Sequence, residues 1–278
     1  MGIMFKVIKR KFASLLFWLN RYAYLAVLTT HTLYLECSRS LKRAFRPGKE
    51  KPAIKLISII VPVPGEGVLP KAREKYYFNG TKQLLTNYLA RQTYTKFEVL
   101  VYCDGPNSKV KELVQGLGDC RIRYYALAKS TGLYGHPQTR EGIAAAHGDY
   151  CVRMNCDNRP YPDYLDTLVN GFEGDIGIVY ARVVFKGMAR KIYRDIFLNK
   201  AAYGLANELA AFLLPRDKAG ALQISNVSCM NYMIRTDTAK KFMHSWSDQY
   251  EADWLFIKEL LSQGVKPVFI DAIIGEKR

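Results

Sequence analysis

The chain has 278 residues and a formal charge of +16, with 49% hydrophobic and 24% charged residues. That balance is ordinary for a globular protein and suits one large domain, or a domain with an extension. Six cysteines without a C-x-x-C pair, set among strand-like and helix-like neighbours, argue for free thiols in a reducing compartment and against a disulfide scaffold or a structural zinc site.

The basic excess is concentrated at the N-terminus. Residues 1–52 hold eleven Lys or Arg against Glu36 and Glu50, so +9 of the charge falls there and +7 on the rest. Phe5, Ile8, Phe12, Leu15, Leu16, Leu19, Tyr22, Ala23 and Ala26 recur at the spacing of one helical face, which predicts an amphipathic helix over 5–26. Arg21 leaves uncharged runs of nine and fourteen residues, both short of the roughly 20 that span a bilayer. A basic helix carrying Phe12, Phe17, Trp18, Tyr22 and Tyr24, followed by Arg39, Lys42, Arg43 and Arg46, is expected to lie on an anionic membrane surface through residues 1–46. The alternative is a helix docked on the protein body or on a second subunit. Neither a secretory cleavage site nor a myristoylation pattern is present. The charged, two-proline stretch Arg46 to Pro52 sets the expected boundary between an extension, 1–52, and the main domain, 53–278.

After that boundary the pattern changes. Residues 55–63 read as a buried strand, 81–92 as a helix, 97–103 as a strand ended by Asp104-Gly105-Pro106-Asn107, 108–116 as a short helix and 121–126 as a strand. A helix over 138–147 leads to the run Asp149 to Asn158, whose alternation predicts a short strand that ends at Asp157 and sends a carboxylate out of the sheet edge. Strands 175–184 and 229–234, a helical stretch 190–214 and an acid-started helix 251–261 complete the reading. Alternating strands and helices mean a mainly parallel α/β sheet, and the positions just past its strands, Val63, Asp104 and Asp157, are expected to line one crevice.

These residues resemble the family 2 glycosyltransferases of the GT-A fold. The resemblance rests on Ser-Ile-Ile-Val-Pro-Val at 58–63, Gln-Thr-Tyr at 92–94 with the strand after it, Cys-Asp-Gly-Pro-Asn at 103–107, Gly-Ile-Ala-Ala-Ala-His-Gly-Asp-Tyr at 142–150, Asn-Cys-Asp-Asn at 155–158 and the acidic helix start at 251–253, in that order. It implies an inverting enzyme that moves a sugar from a nucleoside-diphosphate donor, expected to be a UDP-sugar, to a hydroxyl of a saccharide or glycolipid acceptor. Pro62 and Asp104 would then lie beside the nucleobase, Asp157 would hold a divalent cation, Mn²⁺ or Mg²⁺, and Asp253 would be the general base. Arg140, with His136 nearby, falls where relatives keep a basic residue close to the diphosphate. The expected setting is cell-surface polysaccharide or lipopolysaccharide synthesis, on the cytoplasmic, inner face of the cell membrane.

Two departures stand out. The first acid of the D-x-D-type element is Asn155 with Cys156 in the middle, and Cys103-Asp104 replaces a pair of acids, so weaker metal affinity or a degenerate relative is the alternative. A basic nucleic-acid-binding protein is the competing class. Nucleic acid is not the expected partner, because the charge sits on the aromatic extension and no nucleic-acid module matches the body. Acceptor contacts are expected near 185–226, with Arg182, Lys186, Asn226 and Asn231 as candidates.

Overall fold

The structure, a computed structural model, describes residues 55–133, 135–185, 229–249 and 251–277. The expected N-terminal helix and linker, the helical stretch 190–214, Lys186 and Asn226 lie outside the described residues. Among the described residues no helix is long and apolar enough to cross a membrane.

Among the described residues eight strands form one sheet, in the order β3-β2-β1-β4-β7-β6-β8-β5. They are β1 (Ile57–Pro64), β2 (Phe97–Asp104), β3 (Ile122–Ala126), β4 (Tyr150–Arg153), β5 (Asn158–Pro160), β6 (Ile176–Phe185), β7 (Tyr232–Arg235) and β8 (Lys266–Lys277). β1 pairs in parallel with β2 and β4, and β2 with β3. β7 then runs antiparallel to both β4 and β6. The sheet is therefore a parallel half joined to a mixed half, and the carboxyl ends of β1, β2 and β4 open on one edge.

The helices are α1 (Lys71–Gln83), α2 (Ser108–Leu117), α3 (His136–Ala145), α4 (Tyr164–Val169), α5 (Thr236–Phe242) and α6 (Ala252–Ser262). α1 runs directly into a π-helical turn, Leu84–Leu89. Strand alternation sorts side chains into two cores. Ile57, Ile59, Val61 and Val63 of β1, with Val99, Val101, Val152 and Met154, pack under Leu84, Leu85, Val110 and Leu165. Ile60, Leu100, Tyr102 and Cys151 face the other way, onto Ile143, Trp246, Phe256 and Leu260. Because both faces are covered, β1 and β2 read as continuous apolar runs.

A buried polar knot joins the first parallel strands. Ser58 Oγ donates to Glu98 at 2.5 Å, the Gly148 amide donates to Ser58 Oγ at 2.8 Å, the His147 amide donates to the same Glu98 carboxylate, and Arg123 pairs with it. A carboxylate buried between strands is tolerated because several donors surround it.

Several elements differ from expectation: β4 stops at Arg153 rather than at Asp157, and β5 and α5 are additional. The helix expected at 81–92 begins at Lys71, because its first ten residues are mostly polar and exposed and so show no apolar face. β8 was not anticipated. It follows α6 by a left-handed Gly264 turn and lies parallel to β6 through a register with several shifts, a pattern without clean alternation.

Candidate active site

The site is built on the carboxyl ends of β1, β2 and β4. Pro62 is buried near the end of β1. Beside it, Gly135 opens α3 in a left-handed conformation, φ 83°, and a Cβ there would stand 2.8 Å from Pro62 Cβ and 3.3 Å from Arg153 Nη2. Only glycine lets this turn close over Pro62.

Asp104 ends β2 and is 5% exposed. Its carboxylate accepts from Ser130 Oγ, the Thr131 amide and hydroxyl and the Gly132 amide, at 2.8 to 2.9 Å. Burial alone would raise this carboxyl, but the bonds from Thr131, Gly132 and Ser130 hold it below its ordinary value. The expected nucleobase residue thus uses its four acceptor positions to fix the loop that leads to Gly135.

One step deeper lies Arg153, the last residue of β4, opposite Ile60 and only 7% exposed. Its Nη1 donates to Cys229 Sγ at 3.0 Å, and its guanidinium carbon lies 5.8 Å from the Trp246 ring centroid. Trp246 in turn donates from Nε1 to His136 Nδ1 at 3.1 Å. Burial, and next the charge of Arg153, push His136 down to about 4, so its ring is neutral. Arg140 is engaged elsewhere: its Nη1 donates to Asp248 Oδ1 at 2.7 Å and to the Trp246 carbonyl at 2.8 Å.

The turn after β4 carries the D-x-D-type residues. The Asn155 amide donates to Asn158 Oδ1 at 2.6 Å, Asn155 Nδ2 donates to Cys229 Sγ at 3.4 Å, and Asn158 Nδ2 donates to Asp157 Oδ1 at 3.3 Å. Asp157 is half-buried. Burial raises its carboxyl, while the charges of Lys277 and Arg153 oppose that rise. Among the described residues no group of three or more His, Cys, Asp or Glu could hold a metal ion. A single carboxylate with Asn155 beside it fits a hard cation that arrives on a diphosphate, with phosphate oxygens and waters as the remaining ligands, and does not fit a resident one.

Asp253 stands in the first turn of α6, half-exposed, its Oδ1 accepting from the Trp254 amide at 3.0 Å. Tyr232, at the start of β7, is fully buried, and its hydroxyl finds no hydrogen-bond partner among the described residues. Burial, then the charge of Asp253, push this phenol well up, and Arg153 acts on it in the opposite sense. Arg153 is therefore within electrostatic reach of Asp157 and of the hydroxyl that also feels Asp253. Of the acceptor candidates within the described residues, Arg182 stacks over Phe269 and Asn231 is buried.

A family model described as "Glycosyl transferase family 2" matches residues 79–242, more than half of the chain. The chain belongs to that family. The matched span runs from the end of α1 to α5 and so includes the Asp104 loop, Arg153 and the Asp157 turn. No curated protein matches the chain. Among solved structures, TarS 1–349 of S. aureus in complex with UDP is 15% identical, with a TM-score of 0.53 over 79% of this chain and 59% of that one. The mannosyltransferase PcManGT from Pyrobaculum calidifontis, in complex with GDP-Man and Mn²⁺, is 13% identical with a TM-score of 0.53 over 91% and 67%. Glucosyl-3-phosphoglycerate synthase from Mycobacterium tuberculosis, with Mn²⁺, UDP-glucose and phosphoglyceric acid, is 14% identical with a TM-score of 0.50 over 84% and 77%. These likenesses establish the GT-A fold. The chain spans about 60% of the length of TarS 1–349.

Proposed function

We propose that this family 2 glycosyltransferase is an inverting enzyme that transfers a sugar from a nucleoside-diphosphate donor, a UDP-sugar in the first instance, to a hydroxyl of a saccharide or glycolipid. The reading is supported by one observation: the buried Arg153 at the end of β4 acts on the carboxyl of Asp157 and on the buried Tyr232 hydroxyl, and that hydroxyl also feels Asp253, so two carboxylates far apart in sequence are linked through one arginine. The nucleobase would enter beside Pro62, against the loop that Asp104 fixes. Asp157 would hold a divalent cation brought in with the diphosphate, which supplies Lewis-acid charge neutralisation there.

Asp253 is the general base. As the acceptor oxygen bonds to the anomeric carbon its proton passes to Asp253, and the bond from that carbon to the diphosphate breaks with its electron pair left on the phosphate oxygen. Attack from the face opposite the leaving group inverts the anomeric centre. The relatives bound to UDP, GDP-Man or UDP-glucose support the donor class, and the aromatic, basic residues 1–46 support a peripheral position on the inner membrane face, with surface polysaccharide or lipopolysaccharide as the acceptor. The test is a thermal-shift screen of UDP, GDP, CDP and dTDP with Mn²⁺, followed by NMR of the anomer formed from the matching sugar donor. One diphosphate should raise the melting temperature by mass action and the product should carry the inverted anomer. No shift with any of them, or a retained anomer, contradicts the proposal.

A further inference from the structure

We infer that Arg153, and not a side chain of α3, supplies the fixed positive charge for the donor's diphosphate; this rests on the donor reading above. Three observations converge on it. First, the two basic candidates of α3 are committed or uncharged: Arg140 is tied to Asp248 and the Trp246 carbonyl, and His136 accepts from Trp246 at Nδ1 in a buried, neutral ring.

Second, Arg153 ends β4 at the sheet edge where β1 and β2 also end, and is 7% exposed. Its Nη1 edge is set by Cys229 and its Nη2 edge reaches the Gly135 turn beside Pro62. The Gly135 turn has no side chain to interpose, so the guanidinium is close to the place where a phosphate must pass between the base end at Pro62 and the cation end at Asp157.

Third, the guanidinium is tied to the D-x-D-type turn: Cys229 Sγ accepts from Arg153 Nη1 at 3.0 Å and from Asn155 Nδ2 at 3.4 Å. Asn155 and Cys156 bring no carboxylate to that turn, and Asp157 brings one. With the acids of the D-x-D-type element reduced to one, a divalent cation is held less firmly, and a guanidinium is suited to share its work. It is planar, always charged and matched to phosphate oxygens. The consequence is a donor site that prefers a diphosphate even without a metal ion.

Calorimetric titration of the full chain tests this, using UDP, GDP, CDP and dTDP against their nucleosides, in EDTA and in Mn²⁺. In EDTA the preferred diphosphate should bind about tenfold or more tightly than its nucleoside, as expected of a charge-assisted bond. Arg153→Gln should abolish that preference, while Arg153→Lys should retain part of it. A preference that survives in Arg153→Gln, or that vanishes from the wild-type protein in EDTA, overturns the assignment. If Arg153→Gln lacks a cooperative melt, Arg153→Lys and the wild-type comparison in EDTA decide. Failure of every diphosphate to bind under either condition would instead contradict the donor reading itself.

Discussion

His136 shows how a residue can sit in the site without carrying its charge. Its Nδ1 accepts from Trp246, so protonation there must break that bond beside the Arg153 guanidinium. A folded value of about 4 against an ordinary 6.5 means that the unfolded chain binds the proton first as pH falls. Stability is lost between about pH 6.5 and 4, by roughly 3 kcal/mol at the lower end. Urea denaturation of wild-type protein and His136→Gln over pH 7 to 4.5 should show a steeper loss in the wild type, and parallel profiles would refute it. Asp104 has the opposite sense of dependence on its own charge. Its carboxyl is held low by the 130–132 loop, so its contribution is full above the ordinary carboxylate range and fades as pH falls through the folded value. Asp104→Ala leaves two backbone amides and two hydroxyls to find other partners, and should expose the loop to hydrogen exchange while β1 stays protected.

At the level of elements, α1 is fitted against the D-x-D-type turn through Gly80. A Cβ on Gly80 would lie 2.7 Å from the Cys156 carbonyl oxygen and 3.0 Å from Cys156 Cβ. Alanine in a helix gains about 0.5–1 kcal/mol over glycine, but a backbone carbonyl cannot rotate aside, and overpacking costs about 1–3 kcal/mol. Gly80→Ala should therefore be destabilised and bind diphosphate more weakly. Gly116 in α2 has nothing within 4 Å of a Cβ, so Gly116→Ala should be stabilised by about 0.5–1 kcal/mol. Chemical denaturation of both variants decides; stabilisation of Gly80→Ala would show that the α1 contact is not tight, and destabilisation of Gly116→Ala would contradict the open surface of α2.

The same elements show what the sequence could and could not tell. β1 and β2 were legible because strands covered on both faces are continuously apolar, and the turn residues after β2 placed Asp104 at its end, whereas Asp157 lies beyond the strand expected to end on it, in the turn between β4 and β5. α1 was half hidden, since a polar surface helix lacks periodicity, and β8 because its register against β6 shifts. Arg153 was overlooked as the polar member of an alternating strand. The available signal was its company: in a strand flanked by helices on both faces, an arginine has to be buried, and a buried charge needs a reason. The partners of Asp104 and Arg140 come from loops 130–132 and 246–248, whose approach no local pattern encodes.

For the whole molecule, the charge asymmetry makes a separate prediction. If residues 1–46 hold the enzyme on an anionic surface, each near-surface cation adds about 1 kcal/mol, screened by salt. Sedimentation with phosphatidylserine-containing vesicles should pull down the full chain at low salt, release it at high salt, and leave a chain lacking residues 1–52 in solution. Binding that survives the deletion would move the membrane contact to the body. In the body of the chain, a single donor is proposed to lie between Asp157 and Asp253. The most direct test of that placement is donor kinetics in Asp157→Ala and Asp253→Asn, with nucleoside-diphosphate affinity measured alongside. Asp253→Asn should lose about 10²- to 10⁴-fold in turnover with diphosphate binding intact, and Asp157→Ala should lose turnover together with Mn²⁺-dependent binding. Wild-type turnover in either variant would contradict the account.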